Sequence, residues 1–131
     1  MSKPTDAELD LLQIIWKHQP CSVKMVHEIL SKSKKVGYTT TLKQMQRMEE
    51  KNMIFRDPES AEKSIHYRAV EKASTTKTKV IDKIKKKVFG NSVSELMLHA
   101  IGKEKISNEE LVKIKEIIEK LELKTRNNER N

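Results

Sequence analysis

The hydrophobic period of this chain changes at Lys51, and that change limits the folds open to it. Before Lys51 apolar residues recur at three- and four-residue intervals, as in helices with one buried face; after it they alternate, as in half-buried strands. Thr5 followed by Glu8 is a capping box, in which two free amides at a helix start are satisfied reciprocally. Leu9, Leu12, Ile15 and Trp16 form the stripe of that first helix, and Pro20 lies just beyond its end. Ser22 suits the N-cap of a shorter second helix, with Val23, Val26, Ile29 and Leu30 inward. The polar turn SKSKKVG leads to a third, from Thr39 to Lys51, on which Leu42, Met45 and Met48 face inward with Thr41 at their edge. Ile54 and Phe55 open one short strand, and Ile65, Tyr67 and Ala69 mark alternate positions of another. The intervening DPESAEKS is too long for a tight hairpin and too charged to bury. Three helices, a strand, a loop and a strand over residues 1–70 predict a winged helix-turn-helix.

Residues 71–124 return to helical spacing. Val80, Ile81, Ile84 and Val88 share one side of a helix that Gly90 ends. Ser92 with Glu95, and Ser107 with Glu110, are two further capping boxes. They open helices carrying Leu96, Met97, Ala100 and Ile101, then Leu111, Ile114, Ile118 and Leu121. A unit of roughly 60 residues with so few large apolar groups is marginal alone, so a second copy is expected to cover these stripes. The candidate dimerisation residues are therefore Ile84, Val88, Leu96, Met97, Ile101, Leu111, Ile114, Ile118 and Leu121. Residues 125–131 lack any apolar side chain and read as a disordered tail. The expected fold class is mainly α: a winged helix followed by a three-helix dimerisation unit.

Only 4% of the 131 residues are aromatic and 35% are charged, which favours helices over a β-sandwich. The net charge of +8 points to an anionic partner. Cys21, the one cysteine, cannot close an internal disulfide, and this points to a reducing compartment. No apolar run reaches the roughly 18 residues that cross a bilayer, and MSKPTDAELD has no apolar signal core. A cytoplasmic protein without membrane insertion is expected.

The third helix carries an unusual outer face. At ~100° per residue, Thr39, Thr40, Lys43 and Arg47 lie opposite the apolar side, flanked by Gln44 and Gln46. Threonine suits thymine methyls and phosphate, glutamine pairs with adenine, and lysine or arginine with guanine or phosphate. On a recognition helix the first turns meet base edges. A solvated face is the plain alternative; the helix-turn-helix spacing and the wing turn the reading towards double-stranded DNA. Lys35, with Lys32 and Lys34, precedes this helix and could grip phosphate. Lys63 sits near the wing tip, and Arg56, His66 and Arg68 on its strands, but Asp57, Glu59 and Glu62 dilute that charge, so the wing is a weak contributor. Residues 72–87 hold seven lysines against Asp82 alone, and a solvated face is favoured there over a second DNA contact. A winged-helix protein-interaction module without sequence-specific DNA binding is the rival reading, and salt dependence separates the two.

Enzyme signals are lacking: there is no glycine-rich phosphate loop, no HExxH and no paired acidic motif. Cys21, His18 and His27 do not match a structural zinc pattern, so no metal or cofactor is expected.

TDAELDLLQIIWKHQPCSVKMVHEIL, GYTTTLKQMQRMEEKNMI and the wing ending in HYRAV resemble the penicillinase-repressor (BlaI/MecI) family of bacterial winged-helix regulators. VFGNSVSELMLHAIGKEKISNEELVKIKEIIEKLE is similar to that family's dimerisation region. The most specific parts are Tyr38-Thr39-Thr40 and the stretch from Gln46 to Lys51. The resemblance implies a homodimer that represses transcription from a dyad-symmetric operator, relieved by a membrane-bound sensor protease. By position it makes Thr39, Thr40, Lys43 and Arg47 the DNA contacts. Two departures bear on the signal. Penicillin-responsive members are cut at an Asn-Phe bond, where this chain has His99 and Ala100. Copper-responsive members carry Cys-x-Cys pairs near the C-terminus, and no cysteine follows Cys21 here. Neither inducer is implied for this chain.

Overall fold

Thr5 starts α1 (Asp6–His18) as the capping box requires. Its hydroxyl accepts from the Glu8 N–H at 3.2 Å, and the Glu8 carboxylate accepts from the Thr5 N–H at 2.9 Å. Ser22 caps α2 (Val23–Leu30) by accepting from the Met25 N–H. α3 (Tyr38–Glu50) has Gly37 at its N-cap, without a side-chain cap, and its first residue, Tyr38, falls one residue ahead of the expected Thr39. It ends in a left-handed turn at Asn52 (φ 60°), with the Met53 N–H donating to the Met48 carbonyl at 2.9 Å. That turn buries Met53 along with Met48 and delivers Ile54 to β1 (Ile54–Arg56). β1 pairs antiparallel with β2 (Tyr67–Ala69), Ile54 opposite Ala69 and Arg56 opposite Tyr67. The structure, a computed structural model, describes residues 4–102 and 105–130.

Cys21 adds a third row to this small sheet. Its N–H donates to the Tyr67 carbonyl at 3.1 Å and its carbonyl accepts from the Tyr67 N–H at 2.8 Å, so the link from α1 to α2 pairs with β2. The wing is thereby tied to the helices by backbone hydrogen bonds as well as by packing. The core gathers Leu11, Leu12 and Ile15 of α1, Val26 of α2, Met45 and Met48 of α3, and Ile54 and Tyr67 of the sheet. Leu9 and Trp16, expected inside, are half-buried; Leu11 takes the central place instead.

Glu8 is buried at 4% exposure, which its spacing did not announce. The reason is long-range: Lys51 at the end of α3 reaches its second carboxylate oxygen at 3.0 Å. Burial pushes the carboxyl up, but the Thr5 backbone N–H, the Lys51 ammonium and the Thr5 hydroxyl together bring it below the usual range. A carboxylate lowered in the folded state stabilises fully above the unfolded value, about 4.3, and the contribution is lost as pH falls through the folded value. Glu8→Ala is expected to cost about 1–3 kcal/mol at neutral pH. In urea titrations the gap to the wild type should narrow as the pH is taken below the carboxylate range. A gap unchanged in acid would show that packing, not the charge, is what the substitution removes.

The chain divides into two compact units, Met1–Lys83 and Ile84–Asn131, with the division inside α4 (Ala73–Val88). The start of α4 is bound to the first unit. Trp16 Nε1 donates to the Glu71 carbonyl at 3.0 Å, and the Glu71 carboxylate accepts from Lys79 at 2.9 Å and from buried Thr76 at 3.0 Å. α4 closes at Gly90, whose φ of 55° is the left-handed conformation that a side chain disfavours.

In the second unit Ser92 and Ser107 accept the N–H groups of Glu95 and Glu110, each at 3.2 Å, opening α5 (Val93–Gly102) and α6 (Asn108–Arg130). α6 runs through 125–130, the stretch read from sequence as a tail. Nothing there breaks a helix, since no glycine or proline follows Leu121, and the Thr125 hydroxyl donates back to the Leu121 carbonyl at 2.9 Å. Among the described residues none of α5 or α6 is buried. No helix in the described residues is long and apolar enough to cross a membrane.

Candidate nucleic-acid interface

The inner side of α3 is fixed by Thr41, Met45 and Met48, each at most 1% exposed. That fixes the other side too. Thr39, Thr40, Lys43, Gln46 and Arg47 are exposed, with Glu50 among them at the far end. Gln44 differs from its neighbours: it is half-buried and, with Thr40, lines a cleft of about 80 Å³ closed by Ala7, Leu11 and Val36. It flanks the outward face instead of standing on it.

Ion pairing sorts the cations around this face. Arg56 is held by Glu49 at 2.9 Å and Arg68 by Asp57 at 3.4 Å; Lys34 is paired with Asp10 and Lys51 with Glu8. Lys35, Lys43, Arg47 and Lys63 are exposed and make no ion pair among the described residues. Phosphate would therefore compete with no carboxylate for Lys43 or Arg47, whereas it would have to displace one from Arg56, Arg68 or Lys34. Sequence alone ranked Lys34 with Lys32 and Lys35. Its partner lies 24 residues away on α1, and no local spacing signals that contact.

The wing loop is ordered by its own polar groups. The Asp57 N–H donates to the His66 carbonyl at 2.8 Å. The Ser60 hydroxyl accepts from the His66 N–H at 2.9 Å and donates to the His66 carbonyl at 3.3 Å. Ala61 and Ser64 then bridge, leaving Glu62 and Lys63 as the turn at the tip. With both wing arginines paired, Lys63 is the wing cation that makes no ion pair among the described residues, and Glu62 stands next to it.

Cys21 is fully buried, and burial pushes its thiol up to about 11, so it remains protonated at neutral pH. The described residues contain no group of three or more potential ligands able to hold a metal ion. His27, once grouped with Cys21, is engaged with Thr41 and Ser31 instead.

The second unit presents its apolar residues outward. Ile84, Val88, Leu111, Ile118 and Leu121 are exposed, Val88 at 70%; Leu96, Met97, Ile101 and Ile114 are half-buried. His99 and Ala100 lie within α5, where the His99 ring stands 5.5 Å from that of Phe89. A comparison with family models matches the penicillinase repressor model over residues 4–120, taking in both units. A comparison with curated proteins finds no match.

Proposed function

This chain belongs to the penicillinase repressor family, and from that premise we propose that it acts as a homodimer on a dyad-symmetric operator, reading it with α3. The coarser part is given by the family: a DNA-binding transcriptional repressor. The observation that carries the α3 reading is the outward row Thr39, Lys43 and Arg47, exposed, its two cations in no ion pair among the described residues, beside cations that are already paired. In this reading Thr39, Thr40, Lys43 and Gln46 approach base edges, and Arg47, Lys35 and Lys63 neutralise phosphate. Gln44 contributes from the flank.

The dimer is supported by α6. Leu111, Ile118 and Leu121 recur along one side of it at 44–57% exposure. Burying such a side chain completely contributes about 1.5–3 kcal/mol, and about half of that is still to be gained at each, so a second α6 laid on that face would be stabilised by several such side chains together. The Asn-Phe bond of penicillin-responsive members has no counterpart here, where His99 and Ala100 stand, so a sensor protease stays outside the proposed function.

Titrating the protein against duplex DNA at several salt concentrations tests this reading. The logarithm of affinity is expected to fall linearly with the logarithm of salt, with a slope of about −0.9 per phosphate contacted. A protein that ignores duplex DNA at low salt would favour the protein-interaction module instead.

A further inference from the structure

Thr41 puts a hydroxyl where a helix normally puts a methyl. It sits on the core side of α3 at 1% exposure, one turn from Met45 and two from Met48. A buried hydroxyl without a partner is costly, and among the described residues its side-chain partner is His27 of α2, whose Nδ1 lies 3.1 Å away. The direction of that bond follows from the other end of the ring. The Ser31 hydroxyl donates to the His27 carbonyl at 2.7 Å, so its oxygen is left to accept from Nε2–H at 3.2 Å. A neutral ring with its proton on Nε2 has a bare Nδ1, which accepts the Thr41 hydroxyl proton. The same ring meets Tyr38 edge-on, centroids 5.5 Å apart. Two contacts from one α2 side chain thus land on the first turns of α3, where Gly37 supplies no side-chain cap.

We propose that His27 is a positioning residue for DNA recognition: by accepting from Thr41 it sets the angle at which Thr39, Thr40 and Lys43 are presented. The inference rests on the operator reading above. Base contacts depend on that angle to within a few tenths of an ångström, whereas phosphate contacts through long lysine and arginine side chains do not. Losing the bond should therefore lower selectivity and spare general affinity.

Three full-length variants separate the acceptor from the ring. His27→Phe keeps a ring against Tyr38 and removes the acceptor. His27→Asn loses the ring but places Oδ1 where Nδ1 stood, the same number of bonds from the backbone. His27→Phe with Thr41→Val removes both ends of the bond. The probes are a duplex enriched by the wild-type protein from a randomised pool and a scrambled duplex of the same composition. His27→Phe is expected to lower the ratio of the two affinities by roughly tenfold, the scale of one buried unsatisfied hydroxyl. His27→Asn and the double variant should recover most of it, with binding to scrambled DNA unchanged throughout. A ratio that follows the ring, high in Phe and low in Asn, would overturn the proposal. So would equal losses on both duplexes, or a double variant no better than His27→Phe. If the wild type itself enriches no sequence, the operator reading fails together with this one; a selective wild type with a selective His27→Phe sinks this one alone.

Discussion

If the proposed dimer forms through α6, replacing Ile118 and Leu121 together by glutamate is expected to leave a monomer and to weaken binding to a duplex with two half-sites by about 10²–10⁴-fold. Both residues lie on the apolar side of α6, at 48% and 57% exposure, and Leu111 continues that side towards the helix start. In a dimer built on this face the two substitutions in each of two copies would bring four carboxylates into an apolar seam. Burying them unpaired costs more than the seam gains. A monomer still holds α3 correctly, because the core of Leu11, Ile15, Met45, Met48 and Ile54 contains no residue of α6. Affinity for a single half-site should therefore stay near that of the wild type, and the loss should appear only where two half-sites are bridged. Sedimentation velocity reports the assembly, and gel shifts on one- and two-half-site duplexes report the coupling. A variant that sediments as a dimer would move the interface off α6. One that loses the single half-site equally would mean the substitutions damage the fold.

The two halves of this expectation were legible in the sequence to different degrees. Local signals carried the winged helix. Thr5 and Ser22 cap α1 and α2 where their side chains predict, the change of period at Lys51 marks the passage into the wing, and Gly90 closes α4 with a positive φ. Each depends on a few adjacent residues, so a one-dimensional reading captures it. What the sequence hid is contact between distant segments. Glu8 looks like a surface carboxylate until Lys51 arrives 43 residues later. Cys21 looks like a loop residue until Tyr67 pairs with it. Thr41 looks like the edge of a stripe until His27 turns it into a buried hydrogen bond.

The same limit applied to the candidate site. Period alone put Thr39, Lys43 and Arg47 on one face, and the structure places them on the outward side of α3. It could not distinguish Lys34, Arg56 and Arg68 from Lys35 and Lys63, because a cation's availability is set by which carboxylate folds beside it. Nor could it show Gln44 drawn towards the cleft against α1. Asn52 is an intermediate case: asparagine tolerates the left-handed turn that ends α3, but the polar stretch around it gave no reason to choose that residue.

That division between paired and unpaired cations gives the second large effect. Lys43→Ala and Arg47→Ala are each expected to weaken operator binding by about 1–3 kcal/mol where the side chain touches a base, and to lower the salt slope by about one where it touches phosphate. The two residues stand one helical turn apart and, in the proposed reading, would reach neighbouring groups of the duplex, so the double variant should lose less than the sum of the singles. Removing Arg56 together with its partner, by Glu49→Ala with Arg56→Ala, leaves the net charge unchanged and takes away a cation that is already satisfied. Its binding curve should stay close to that of the wild type. Operator and scrambled duplexes measured over a range of salt separate the cases: a loss confined to operator marks base contact, and a uniform loss with a shallower slope marks phosphate. Wild-type affinity for both duplexes in both single variants would remove α3 from the interface, and a Glu49/Arg56 variant as impaired as Arg47→Ala would place the wing strand there instead.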